Sequence, residues 1–339
     1  MNDPSTPLLA AVAWLLGAAC CCTPTPRLSD SALLMHPPPA WTDAASVRVV
    51  TYNIEDLPVV DARRDRWRMN ALADQLVELQ PDVVCLQEAF EGQNREALLE
   101  RLAGSPLQHH HYFRSGVVGS GLLVISRWPI EEALFWPFSE GGNITRGDWW
   151  VGKGVALVRL RLPQGVLDVF DTHLVSYFLA PRTDRSVASE DRSARRDDGG
   201  QVATNLDNAL RRDFGVRCVQ MLELSAFVAD ASSPTSPAVI AGDFNCWAGA
   251  PELRIALGGG GLLRPVRNGA PAAAPRPLHE LLMDFDHVFV AEKPGYEYQE
   301  QSSSWITTVI VDGAETRLSD HHAVVSDLRI TPVTTARTP

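Results

Sequence analysis

The chain has no disulfide framework. Its six cysteines fall as one run, Cys20, Cys21 and Cys22, and three scattered positions, Cys85, Cys218 and Cys246, so the fold must be held by a core and not by cross-links. It also lacks an excess of positive charge. With 41 acidic against 30 basic residues the net charge is −11, which argues against the broad basic field of a processive or sequence-reading nucleic-acid binder, although a nuclease stays open. No apolar run reaches the roughly 20 residues of a membrane-spanning helix. No internal repeat and no central linker divides the 339 residues, and 45% apolar content suffices for one large domain.

What the N-terminus does have is a short apolar run at 8–19, LLAAVAWLLGAA, followed by the three cysteines. That is the shape of a secretory or lipoprotein-type signal over residues 1–22, with Cys20 as the candidate lipidated residue. No Lys or Arg precedes the run, and Gly17 stands where such signals carry a larger apolar residue. Residues 23–46, rich in Pro, Ser, Thr and Ala, read as a tether. The expected location is therefore secreted or membrane-anchored, facing the cell exterior or periplasm.

The folded part is expected over 47–332. VRVVTYNI at 47–54 reads as a strand, DRWRMNALADQLVELQ at 65–80 as a helix stopped by Pro81, and DVVCLQE at 82–88 as a buried strand. SGLLVISRWPI at 120–130 reads as one further strand, and KGVALVRLRL at 153–162 as a half-buried strand in a hairpin with VLDVFDTHL at 166–174. Residues 180–213, dense in Arg, Asp, Ser and Gly, read as a mobile surface insertion before an amphipathic helix at 216–230. Strands follow at PAVIAGD, 284–291, 304–311 and 323–330, with a Pro/Ala loop at 269–277.

Polar residues then recur at the ends of apolar strands: Asn53 with Glu55, Glu88, Asp171 with His173, Asp243 with Asn245, and Asp320 with His321. Asp243 and Asn245, two apart, would share a face of an extended segment. Any one of these positions is ordinary, because Asp and Asn cap turns and a lone His often sits in a core. The ordered series YNIE, LQE, SGLLVISRWPI, DTHL, GDFN, DFDHVFV and LSDHH resembles the endonuclease/exonuclease/phosphatase superfamily over about residues 47–330.

The resemblance implies an α/β fold, a four-layer α/β/β/α sandwich of two packed mixed β-sheets. It implies Mg²⁺ as cofactor, with Mn²⁺ or another divalent ion as substitute, on Glu88 and Asn53 with Asp320 in the metal environment; a hard cation wants few protein carboxylates when a phosphate completes its shell. It further implies His321 as general base oriented by Asp286, Asp243 aligning the attacking water, and Asn245 with His173 on the phosphate oxygens. Asp286 could instead merely cap a strand. Asp171 reads as structural, His322 as surface, and Glu55 as an acidic group of open role.

GDWWVGKG at 147–154 looks like the Asp/Lys pair of neutral sphingomyelinases, making Asp148 and Lys153 site-organising residues, and RCVQ at 217–220 matches the same group. A turn-capping Asp148 and a strand-starting Lys153 are the plain alternative. Trp149, Trp150, Tyr296, Tyr298 and Trp305 could anchor a rim in lipid, with core packing favoured for Trp305. The expected substrate is a phosphodiester, a phospholipid cleaved in phospholipase C fashion, with nucleic acid as the alternative, a membrane surface as a partner, and a monomer as the expected state. A catalytically silent surface binding protein is the reading from outside the enzymes.

Overall fold

The computed structural model of the chain describes residues 31–57, 62–141, 151–176, 198–258, 263–265 and 285–333. The signal at 1–22, the start of the tether, the Pro/Ala loop and Asp148 with Trp149 and Trp150 lie outside these residues. In chain order the elements are β1 (Ala45–Asp56), α1 (Ala62–Leu79), β2 (Val83–Ala89), α2 (Gly92–Leu102), β3 (His109–Tyr112), β4 (Leu123–Ser126), β5 (Ile130–Pro137), β6 (Gly154–Leu162), β7 (Gly165–His173), α3 (Asp198–Ala231), β8 (Ala238–Asp243) and α4 (Pro251–Gly258). They continue with β9 (Leu263–Pro265), β10 (Asp286–Ala291), β11 (Tyr296–Ile306), β12 (Val309–Val311), β13 (Ala314–Thr316) and β14 (Ala323–Pro332).

Alternation along the strands builds the layers. On β1 and β2, Val49, Val83 and Cys85 face one way, and Val50, Val84 and Leu86 the other. The first set meets Val158, Val169, Val239 and Val288 of the second sheet. The second set lies under Met69, Leu72 and Leu76 of α1 and Leu98 of α2. On the far side, Leu157, Phe170, Ile240 and Phe289 are covered by Met221, Leu224 and Phe227 of α3 and Leu253 of α4. The result is helices, sheet, sheet, helices, as the sequence implied. Strand order is β11-β14-β1-β2-β4-β3 in the first sheet and β5-β6-β7-β8-β10-β9 in the second. Each contains one parallel pair, β1 with β2 and β7 with β8, among antiparallel neighbours.

Four local readings change. The 120–130 segment is two strands in different sheets, because Pro129 stands where the chain crosses between β4 and β5. β6 is buried almost throughout and not half-buried, since both its faces are covered. The 304–311 segment ends β11 and opens the small β12-β13 hairpin. Of the expected insertion, 198–213 is the beginning of the long helix α3, and 180–197 lies outside the described residues. The packed domain also takes in residues before Val47: Trp41 is buried between the sheets, its Nε1 donating to Val166 O at 3.0 Å. Tyr296 and Tyr298 join that same core and form no rim.

One polar link crosses the core. Gln87 Nε2 on β2 donates to Asp171 Oδ1 on β7 at 2.7 Å, with both side chains fully buried. Burial pushes the Asp171 carboxyl well above its ordinary value, against the opposing hydrogen bonds from Gln87 and Thr172, so it stays neutral where an exposed carboxylate ionises. A raised carboxyl gives its full share of stability below the unfolded value of about 4 and loses it as pH rises. Asp171→Asn keeps the acceptor and cannot ionise. The expected result is a smaller fall in melting temperature than wild type between acidic and mildly alkaline pH, read by calorimetry; parallel curves would show Asp171 ionised in the fold.

Candidate active site

The two parallel pairs deliver their polar residues to one rim. Asn53 pairs in register with Gln87, next to Glu88, while His173 pairs with Asp243, which in turn pairs with Asp286 across β8 and β10. His321 arrives just ahead of β14, whose Val324 pairs with Thr51 of β1. Gly242 makes the approach possible: at φ 151° its missing Cβ leaves room for the Thr172 carbonyl of the parallel neighbour.

One wall handles protons. His321 Nδ1 lies 2.8 Å from Asp286 Oδ2, and the other ring nitrogen, Nε2, faces Asp243 Oδ2 at 3.8 Å. Burial lowers the affinity of the imidazole for its proton, but Asp286, Asp243 and Asp320 together outweigh it and raise it well above its ordinary range. Asp243 shows the reverse balance: burial raises it, yet His321, His173, Asn53 and Lys153 hold it below the ordinary carboxylate value.

The facing wall gathers oxygen. Asn53 Nδ2 lies between two carboxylates, 3.1 Å from Glu88 Oε1 and 3.0 Å from Asp243 Oδ2, while its Oδ1 accepts from Glu55 N–H at 3.1 Å. Burial pushes Glu88 up to about 7 despite Asn53 and Lys153. Two inward carboxylates that meet at one amide are a place where positive charge is favoured, and the oxygens of Glu88 and Asp243 suit a hard divalent ion, which would take the place between them that Asn53 Nδ2 holds. Asp243, Asp286 and His321 also bring ligand atoms within 4.8 Å of one another. The 2.8 Å contact that ties His321 to Asp286 fits that trio better for proton transfer.

Lys153 closes the site from β6. Its ammonium lies 2.9 Å from His173 Nε2 and donates to Leu174 O at 2.8 Å. Lys153 is one of only two lysines in the chain, the other being Lys293, with arginine supplying the rest of the 30 basic residues. Asn245 Nδ2 also donates to Leu174 O, at 2.9 Å.

The rim is strained. Glu55, Glu88 and Asn245 have φ of 50°, 57° and 49°, the left-handed region, at a cost on the order of 1 kcal/mol each. Asn245 N–H donates to Asp243 Oδ1 at 2.8 Å, so these two residues form a tight turn and do not share an extended face as the spacing suggested. Backbone staples hold the bends. Arg68 of α1 donates to the carbonyls of Ile54, Glu55 and Leu318, and Ser319 Oγ donates to Asn53 O at 2.7 Å while accepting from His321 N–H.

Asn53, Glu88, Lys153, His173, Asp243, Asn245, Asp286 and His321 are thus brought together. Asp320 lies further out: it is exposed, its N–H donates to Glu55 Oε2 at 3.2 Å, and it acts on His321 through its charge. Arg68 and Ser319 escaped the sequence reading. Ser319 was visible only as the first polar letter of SDHH, and nothing local marked Arg68.

A model of the Endonuclease/Exonuclease/phosphatase family matches residues 50–321. A Drosophila melanogaster protein named as a neutral sphingomyelinase is 26% identical over 298 residues, covering 84% of this chain and 61% of its own length. Mouse (Mus musculus) sphingomyelin phosphodiesterase 2 is 38% identical over 131 residues, 38% of this chain and 31% of the mouse protein. The chain therefore spans less than two thirds of the length of these relatives. Among solved structures, sphingomyelinase C from Streptomyces griseocarneus superposes with a TM-score of 0.55 at 21% identity, covering 84% of this chain and 99% of that one. TDP2 of D. rerio complexed with a single-stranded DNA product reaches the same TM-score at 14% identity and the same coverage. On the span of the family match, the chain belongs to the Endonuclease/Exonuclease/phosphatase family.

Proposed function

We propose that this chain is a divalent-cation-dependent phosphodiesterase that acts on a phospholipid as a sphingomyelinase-like phospholipase C, with Mg²⁺ as cofactor and Mn²⁺ as substitute. The observation that carries the chemistry is the Asp286–His321 pair at 2.8 Å, its free ring edge turned toward Asp243 and across from Glu88 and Asn53. Glu88 and Asn53 would hold the cation, with Asp243 beside them and Asp320 as an outer charge. The cation would neutralise the phosphate and the leaving oxygen, and offset the carboxylates that keep a proton on His321.

Water held by Asp243 attacks phosphorus in line as neutral His321 takes its proton at Nε2, and Asp286 keeps the ring in place from Nδ1. The new O–P bond forms as the bond to the lipid oxygen breaks, and that oxygen leaves as a hydroxyl after taking a proton from solvent. His173, Lys153 and Asn245 stand where they can face phosphate oxygens, with Lys153 supplying fixed positive charge.

The lipid reading is supported by the sphingomyelinase names among the relatives and by the net charge of −11. Exposed apolar side chains also sit beside the site segments: Leu57 two residues after Glu55, Trp247 two after Asn245, and Ile310, 69% exposed, on the hairpin ahead of Ser319. A lipidated Cys20 would keep such a face near a bilayer, and no helix among the described residues is long and apolar enough to cross one. A deoxyribonuclease-like activity is the second reading, favoured by the fold shared with the DNA-bound neighbour. The test is release of phosphocholine from sphingomyelin in detergent micelles beside a plasmid-nicking assay. Release that chelator abolishes and Mg²⁺ restores is expected; nicking without release would overturn the lipid assignment.

A further inference from the structure

The RCVQ segment on α3 has no place in the chemistry above, yet its glutamine reaches the site through one peptide. Leu174 O is the shared acceptor for Lys153 Nζ and Asn245 Nδ2, at 2.8 and 2.9 Å, and Leu174 N–H donates to Asp243 O at 2.9 Å. The next amide, Val175 N–H, donates to Gln220 Oε1 at 2.9 Å, and Val175 O accepts from Arg217 Nη1 at 3.4 Å. Gln220 has a second grip. Its Nε2 donates to Glu140 O at 2.7 Å, while Glu223, one turn on, accepts from Ser139 N–H. Residues 139–140 follow β5 directly after Phe138, whose N–H donates to Lys153 O at 3.0 Å.

The side chain of Gln220 and Val175 are both buried, so without Gln220 the Val175 N–H would lose a hydrogen bond that water could not replace, whereas Glu140 is exposed. Arg217 cannot substitute, since its Nε and Nη2 are taken by Glu252 Oε1 at 3.1 Å each. The Leu174–Val175 peptide is therefore a platform with site side chains above and one amide side chain behind.

We propose that Gln220 is a positioning residue for the hydrolysis: it fixes the Leu174–Val175 peptide and thereby the placement of Lys153 and Asn245 against His173 and Asp243. This rests on the functional reading above. Gln220→Met, similar in volume, removes both hydrogen bonds. Gln220→Glu, when protonated, can still accept from Val175 and donate to Glu140.

Both variants are compared with wild type at a temperature where circular dichroism shows them folded, measuring kcat and KM on sphingomyelin micelles across pH. Amide hydrogen exchange is followed by mass spectrometry in peptides covering Val175. Gln220→Met is expected to lower kcat roughly ten- to a hundredfold with KM within about twofold, and to speed exchange at Val175. Gln220→Glu is expected to recover part of kcat, more at acidic than at alkaline pH relative to wild type, which a loss of packing would not produce. Faster exchange with unchanged kcat would overturn the positioning role, and unchanged exchange would overturn the clamp itself. Should the wild-type protein hydrolyse no phosphodiester, the functional reading fails alone, and the exchange comparison still decides the clamp.

Discussion

His321→Ala is expected to lower kcat by about a thousandfold or more at a temperature where the variant is folded. A positioned general base contributes roughly 10² to 10⁴ in rate, and His321 occupies the one point where a ring nitrogen faces Asp243 while the other is anchored on Asp286. The side chain is only partly buried and belongs to none of the hydrophobic clusters, so its loss leaves the core intact. Asp286→Asn should fall between this variant and wild type, because asparagine can still accept from Nδ1–H but withdraws the charge that balances the imidazolium. Steady-state kinetics on sphingomyelin micelles would settle both. A His321→Ala protein with wild-type kcat would remove the proposed base, and Asp243 would have to take its place.

The largest stability effect is expected far from that rim. Arg159 of β6 is fully buried, donating to Glu132 Oε2 at 2.8 Å and to the Ala231 carbonyl, with Nε 3.5 Å from Asp168 Oδ1. Asp168 also accepts from Ser233 N–H at 2.7 Å and lies 3.7 Å from Lys293 Nζ. Removing one partner of such a cluster strands the others in a low-dielectric interior, which typically costs about 3–5 kcal/mol. Arg159→Met should therefore lower the melting temperature by roughly 10 °C, at about 2–4 °C per kcal/mol for a domain of this size. Scanning calorimetry reads it, and Arg159→Met combined with Glu132→Gln should recover part of the loss, with Asp168 keeping Ser233 and Lys293. Asp168 precedes His173 by five strand residues, about 17 Å, so kcat well below the melting range should stay near wild type. A drop of no more than a degree or two would mean that water reaches the cluster.

Both effects concern groups with very different visibility in the sequence. Glu88, His173, Asp243 and Asn245 were legible because each follows an apolar run at a strand's end, and His321 because it stands just before the apolar start of β14; a strand's end is where a sheet presents polar side chains. Arg159 is one arginine among many, and nothing in KGVALVRLRL says that its neighbour Arg161 pairs with Glu131 at the surface while Arg159 is enclosed. The crossing from β4 to β5 was hidden because SGLLVISRWPI is continuous in hydrophobicity, and sheet membership is decided by partners distant in sequence. Tyr296 and Tyr298 were misplaced for a related reason: β11 is long and turns those rings under Trp41, far along the chain. The start of α3 was read as an insertion because charge and glycine outweigh a helical period in so short a window. Arg68 acts on backbone carbonyls, which carry no side-chain signature, and Gln220 was marked only as part of RCVQ, without its backbone partners.

The bridge made by Asn53 has a mechanical corollary. Asn53 and Glu88 travel with the first sheet, and Asp243, His173 and Asp286 with the second, so the 3.0 Å bond from Asn53 to Asp243 spans the seam between them. The reacting groups are consequently a gauge of how thick the sandwich is. An extra methylene at Val169 or a missing one at Val124, both deep in the interior, would be transmitted to the separation of groups that must meet a single phosphorus atom. Natural variation in those small aliphatic residues would then be constrained by turnover as much as by folding, although no substrate ever touches them.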